Sequence, residues 1–121
     1  MGMRVLVVDD SGFMRKRIVE ELKAQGHIVV GEAKGGNEAV ELYKTLRPDL
    51  VTMDITMRDK DGITAAKEIL GEDPGAKILF LTILNDEKYR TEAEKLGAKG
   101  FINKTDHLSI AQVIREMELE Q

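Results

Sequence analysis

Short apolar runs alternate along the chain with longer stretches of helical period. The runs cover residues 5–8, 28–30, 50–53, 78–81 and 101–102. Three are nearly continuous and rich in Val, Leu and Ile, the composition of parallel strands buried on both faces. Between them Met14, Ile18 and Leu22 form one helical stripe, and Ala39, Val40, Tyr43 and Leu46 a second. Ala66, Ile69 and Leu70 make a third, Tyr89, Ala93 and Leu96 a fourth, and Ile110, Val113, Ile114 and Met117 a fifth. Gly26 and Gly97 stand where a left-handed cap would end a helix, and Pro48 and Pro74 fall in connections. Strict alternation of this kind predicts five βα units, an α/β fold with a parallel five-stranded sheet and helices on both faces.

The length of 121 residues suits one domain, and the whole span 1–121 is expected to be that domain, with no output domain attached. Strand-like sequence begins at once, so no signal peptide is expected, and no run approaches membrane-span length. Membrane insertion is therefore disfavoured, and a cytoplasmic protein is expected. The absence of cysteine excludes disulfides and thiolate metal sites. A net charge of −4 with scattered basic residues, 4% aromatics and no Trp disfavours nucleic-acid binding.

Charged and hydroxyl residues collect where the apolar runs end. Asp9 and Asp10 follow the first run, Asp54 the third, Thr82 the fourth and Lys104 lies just past the fifth. In a parallel sheet all of them project from the carboxyl edge, where open α/β folds bind ligands. Asp49 precedes its strand and belongs to the opposite edge. Three carboxylates meeting at one spot repel one another and call for a cation, and an oxygen-only donor set favours Mg²⁺. Asp54 is the candidate nucleophile, since an aspartate can attack phosphorus to give an acyl phosphate. Lys104 would pair with one phosphoryl oxygen and the Thr82 hydroxyl would donate to another. Taken singly, a Thr at a strand end is usually structural and a Lys usually solvated; the combination carries the reading.

With these residues in view, the chain resembles the response-regulator receiver family, particularly its stand-alone chemotaxis-type members. The resemblance rests on residues 5–10, 48–57 and 61–62, then on Leu81-Thr82, Leu96-Gly97-Ala98, Phe101 and Lys104. It implies a flavodoxin-like (βα)5 doubly wound sheet of order 2-1-3-4-5. It also implies two-component signalling, in which a histidine kinase donates the phosphoryl group to Asp54 in a Mg²⁺-dependent reaction. The metal would be held by Asp10, Asp54 and the backbone carbonyl of Thr56, with Asp9 acting through water. The switch would use Thr82 and Phe101 and change the affinity of the helix 4–strand 5–helix 5 face for a downstream target protein. Such a protein is no enzyme beyond its own phosphorylation and dephosphorylation.

Four positions depart from the family pattern. Arg58 stands where Pro is common, and Ile83 where a small residue usually flanks the phosphoryl pocket and controls access. Phe101 replaces the more frequent Tyr, and Thr105 replaces a Pro that often follows a cis bond. A cis bond before Thr would cost about 2.5–4 kcal/mol, so a trans Lys104–Thr105 bond is expected.

Of the other readings, the first fits nearly as well as a chemotaxis role and the rest fit less well. A phosphorelay intermediate passing its phosphoryl group onward uses the same residues. An interaction module independent of phosphorylation would usually have lost one of the acidic pair, Thr or Lys. An aspartyl-phosphate phosphohydrolase typically carries Asp-x-Asp, but Thr56 occupies the second position here. A flavodoxin-like cofactor binder would want phosphate-cradling donors after the first strand, where this chain has Asp9-Asp10.

Overall fold

The computed structural model describes residues 2–83, 87–103, 112, 114 and 115. Five parallel strands, β1 (Arg4–Val8), β2 (Ile28–Ala33), β3 (Leu50–Asp54), β4 (Ile78–Thr82) and β5 (Gly100–Asn103), form one sheet. Their order is β2-β1-β3-β4-β5, the order the family resemblance implied. The helices between them are α1 (Gly12–Ala24), α2 (Gly36–Leu46), α3 (Gly62–Glu72) and α4 (Glu87–Lys95). Most of the fifth stripe lies outside the described residues; 112, 114 and 115 are helical.

The two periodicities build two cores. Successive side chains of a strand point to opposite faces. Leu6, Val8, Val51, Met53, Ile78 and Phe80 accordingly pack with residues of α2, α3 and α4. Their neighbours Val5, Val7, Leu50, Leu79 and Leu81 pack with Ile18, Val19 and Leu22 of α1 and with Ile114. Every residue of β3 and β4 is buried, as continuous apolar strands covered on both faces require. Truncation of the fully buried Leu22 to Ala would cost about 2–5 kcal/mol.

The helix ends follow local chemistry. Ser11 caps α1, its Oγ accepting from the Met14 amide at 3.3 Å, and Asp61 caps α3 through the Thr64 amide at 2.9 Å. Both α1 and α4 run into a left-handed glycine. The His27 amide donates to Leu22 and the Gly26 amide to Lys23, and Ala98 and Gly97 repeat the pattern on Ala93 and Glu94. Gly26 and Gly97 supply the positive φ that this closing geometry needs.

The edge strand β2 differs from its sequence reading. It runs to Ala33, three residues past the apolar run, and Ile28 is largely exposed. Pairing with β1 holds Gly31, Glu32 and Ala33 in the sheet although their side chains give no strand signal.

Candidate metal and phosphoryl site

Asp9 and Asp10 leave the end of β1, while Asp54 and Thr82 are the last residues of β3 and β4. Since β3 lies between β1 and β4, these side chains gather at the centre of the carboxyl edge. Oxygens of Asp9, Asp10 and Asp54 lie within 4.8 Å of one another. Asp9, Asp54 and Thr82 are buried, and Asp10 is half-buried. Asp49 sits at the other edge, its Oδ2 accepting from the Arg4 amide at 2.9 Å. Lys104 and Thr105, with the bond between them, lie outside the described residues.

The acidic pair is held by its own backbone neighbours. Asp9 Oδ1 accepts from the Ser11 amide at 2.8 Å, so the residue that caps α1 also orients the carboxylate. Arg15 on α1 donates to the Asp9 carbonyl at 2.9 Å, and its Nε pairs with Glu32 of β2 at 3.1 Å. Sequence reading had missed Arg15, although its place one helical turn past Asp10–Ser11 was a usable signal. Arg58, a departure from the family pattern, reaches Asp10 at 3.9 Å. Its side chain is 94% exposed, so the pair contributes no more than about 1 kcal/mol.

Gly62 fixes the loop after β3. Its amide donates to the Ile55 carbonyl at 2.7 Å. A Cβ there would fall 2.0 Å from the Asp54 carbonyl oxygen, so only glycine lets α3 begin against the end of β3. Along the loop Ile55 and Met57 turn into the core, while Thr56 and Arg58 face outward. Beside the cluster opens a cleft of about 530 Å³, lined by Asp10, Lys34, Asn37, Glu38, Arg58 and Asp59 among others.

Two further positions named from sequence lie nearby. Ile83, just past β4, is 62% exposed at the rim. Phe101 on β5 is half-buried, and the Arg90 guanidinium of α4 stands over its ring at 4.8 Å from the centroid.

The donor set tests the metal expectation. Three carboxylates, two of them buried, offer oxygen ligands at coordination spacing, and the chain has no cysteine to bring in a softer ion. That chemistry fits a hard divalent cation. Anions this close repel one another, and a cation bound among them would offset that repulsion.

An acidic cluster at the carboxyl edge of a 2-1-3-4-5 sheet, with a buried Thr on the adjacent strand, defines a receiver-type phosphorylation fold. The chain belongs to the response regulator receiver domain family, whose model matches residues 5–115. It is 54% identical over 101 residues to protein CcdB of Bacillus subtilis, covering 84% of each chain. It is 51% identical over 104 residues to the chemotaxis protein CheY of Thermotoga maritima, covering 86% of this chain and 87% of that one. Among solved structures it superposes on the CheX–CheY–BeF3–Mg²⁺ complex from Borrelia burgdorferi with a TM-score of 0.89 and 32% identity, covering 94% of this chain and 87% of that chain. It is a CheY-like receiver of two-component signalling, which is not a classical enzyme. No helix among the described residues is long and apolar enough to cross a membrane.

Proposed function

We propose that Asp54 is the phosphoacceptor of a Mg²⁺-dependent switch. The observation that carries this reading is the convergence of Asp9, Asp10 and Asp54 at the end of the central strand β3. An Asp54 oxygen attacks the phosphorus of a histidine kinase's phosphohistidine. The P–N bond breaks, its electron pair stays on the imidazole nitrogen, and an acyl phosphate remains on Asp54. Asp10, Asp54 and the Thr56 carbonyl, with Asp9 through water, would hold the Mg²⁺, which would supply neutralisation of the phosphoryl oxygens. Lys104 pairs with another of those oxygens, and the Thr82 hydroxyl donates to the remaining one once it is in place.

The new group of charge about −2 then biases a bistable surface. Thr82 moves toward the phosphoryl group, Phe101 turns inward, and the face of α4, β5 and the fifth helical stripe changes its affinity for a downstream protein. The protein acts in the cytoplasm on protein partners, in a chemotaxis-type pathway, as one receiver domain spanning residues 1–121. Beyond forming and losing its own acyl phosphate, it turns over no substrate.

Thermal melting in a Mg²⁺ series at constant ionic strength tests the site. A cation bound only by the folded state stabilises it by mass action, so the melting temperature rises with concentration. Asp54→Asn is expected to weaken the response, and Asp10→Asn to weaken it more. A wild-type melting temperature independent of Mg²⁺ would overturn the metal assignment.

A further inference from the structure

Helix α2 begins at Gly36 behind an N-cap, Gly35, that has no side chain to offer. The first amides of such a helix have no acceptor within it. Glu38 serves the chain just before the helix, its Oε1 accepting from the Lys34 amide at 2.7 Å. Asp59, on the loop between β3 and α3, supplies the acceptors that Gly35 lacks. Its Oδ1 accepts from the Gly36 amide and its Oδ2 from the Asn37 amide, each at 3.0 Å. These amide bonds, that from Asn37 foremost, hold the Asp59 carboxyl below the ordinary carboxylate range. The carboxylate therefore stays charged at the positive end of the α2 dipole.

The two glycines are the other half of this contact. A Cβ at position 35 would come within 2.6 Å of Asp59 Oδ1, and one at 36 within 2.9 Å of the Lys60 Cβ and carbonyl oxygen. Gly35-Gly36 lets the loop lie on the first turn of α2, and Asp59-Lys60 occupies the space they leave. Lys60 continues the attachment by pairing with Glu68 of α3. The outward half of the loop is thus tied to two helices, while Ile55 and Met57 anchor its inward side. Thr56, whose carbonyl is a ligand in the proposed site, lies between those two buried side chains.

We propose that Asp59 is a positioning residue for the phosphoryl site: by capping α2 from across the fold it fixes the loop that carries Thr56, and so the cation geometry at Asp9, Asp10 and Asp54. This inference rests on the proposed reading of that cluster. Groups that orient a metal's ligands typically govern affinity by about 10–100-fold, and Asp59, one step more remote, belongs near tenfold.

The test compares wild type, Asp59→Ala, Asp59→Asn and Tyr43→Phe, measuring Mg²⁺ affinity by calorimetry and amide hydrogen exchange by NMR. Asp59→Ala is expected to weaken Mg²⁺ binding about tenfold and to speed exchange at Gly36, Asn37 and the loop amides 56–58. Asp59→Asn keeps an amide oxygen that can accept one of the two bonds, and is expected to recover part of both effects. Tyr43→Phe removes a bond elsewhere on α2 and is expected to lower stability while leaving Mg²⁺ affinity unchanged. A wild type that binds no Mg²⁺ contradicts the reading of the cluster. A wild type that binds it, beside an Asp59→Ala variant that binds equally well with unchanged loop exchange, overturns the role of Asp59 alone. Weakening of equal size in Tyr43→Phe would also overturn it, because the effect would then be general loss of stability.

Discussion

Gly62 lies so close to the Asp54 backbone that a Cβ would fall 2.0 Å from the Asp54 carbonyl oxygen and 2.9 Å from its carbon. Both atoms belong to the backbone at the end of a buried strand, so neither can yield as a flexible side chain could. Gly62→Ala is expected to cost at least about 1–3 kcal/mol in urea unfolding. Gly71, in the same helix, has nothing within 4 Å of a built Cβ. Gly71→Ala is expected to stabilise by about 0.5–1 kcal/mol, since only the helix preference changes. The opposite signs distinguish a packing requirement from mere glycine composition.

Arg90 and Phe101 bear on the switch. The guanidinium of Arg90 stands over the Phe101 ring, a contact worth about 0.5–1 kcal/mol at a partly exposed site. In the proposed switch, rotation of the ring would break it. Arg90→Ala is therefore expected to raise the inward population of the unphosphorylated protein by about 2–5-fold. Relaxation-dispersion NMR on the Phe101 ring checks this, and an unchanged population would show that the contact does not restrain the ring.

Ile83 stands at the rim of the site with most of its side chain exposed. We propose that its branched side chain narrows the approach to an acyl phosphate on Asp54. Ile83→Ala is expected to speed both phosphorylation by a small donor and autodephosphorylation. Unchanged rates for both in stopped-flow and single-turnover measurements would mean the side chain leaves the approach open.

Tyr43 gives the fold an alkaline limit. Its hydroxyl donates to Asp73 Oδ2 at 2.7 Å. Burial, reinforced by that bond, pushes the phenol up from 10.0 to about 12. The folded state thus keeps a proton that the unfolded chain has lost. The resulting stability is complete below the unfolded value and is lost as pH rises from 10.0 toward about 12. Urea midpoints across this window are expected to fall in wild type and to fall less in Tyr43→Phe.

The sequence made the acidic cluster readable because Asp9, Asp10 and Asp54 each end or follow an apolar run, and strand ends in a parallel sheet share one edge. The two cores were readable in the same way, from strand alternation and helical stripes. Asp59 was not, since its partners lie 22 and 23 residues away and only packing brings them together. The Gly35-Gly36 pair opening a helix without a capping side chain was the available signal. Arg47 escaped for a related reason. It ends α2 with a φ of 45°, where glycine would be expected. Tertiary bonds hold it there: Arg4 donates to its carbonyl at 2.8 Å, and its guanidinium pairs with Asp73 at 3.4 Å. The extent of β2 was hidden because sheet pairing, not side-chain burial, defines an edge strand.

The assignment of Asp54 as phosphoacceptor is tested most directly by intact-mass spectrometry after incubation with acetyl phosphate. Wild type with Mg²⁺ is expected to gain a single phosphoryl group, mapped to Asp54 by peptide analysis. Removal of the divalent cation, or Asp54→Ala, is expected to abolish the added mass. Label retained by Asp54→Ala at the wild-type level would contradict the assignment.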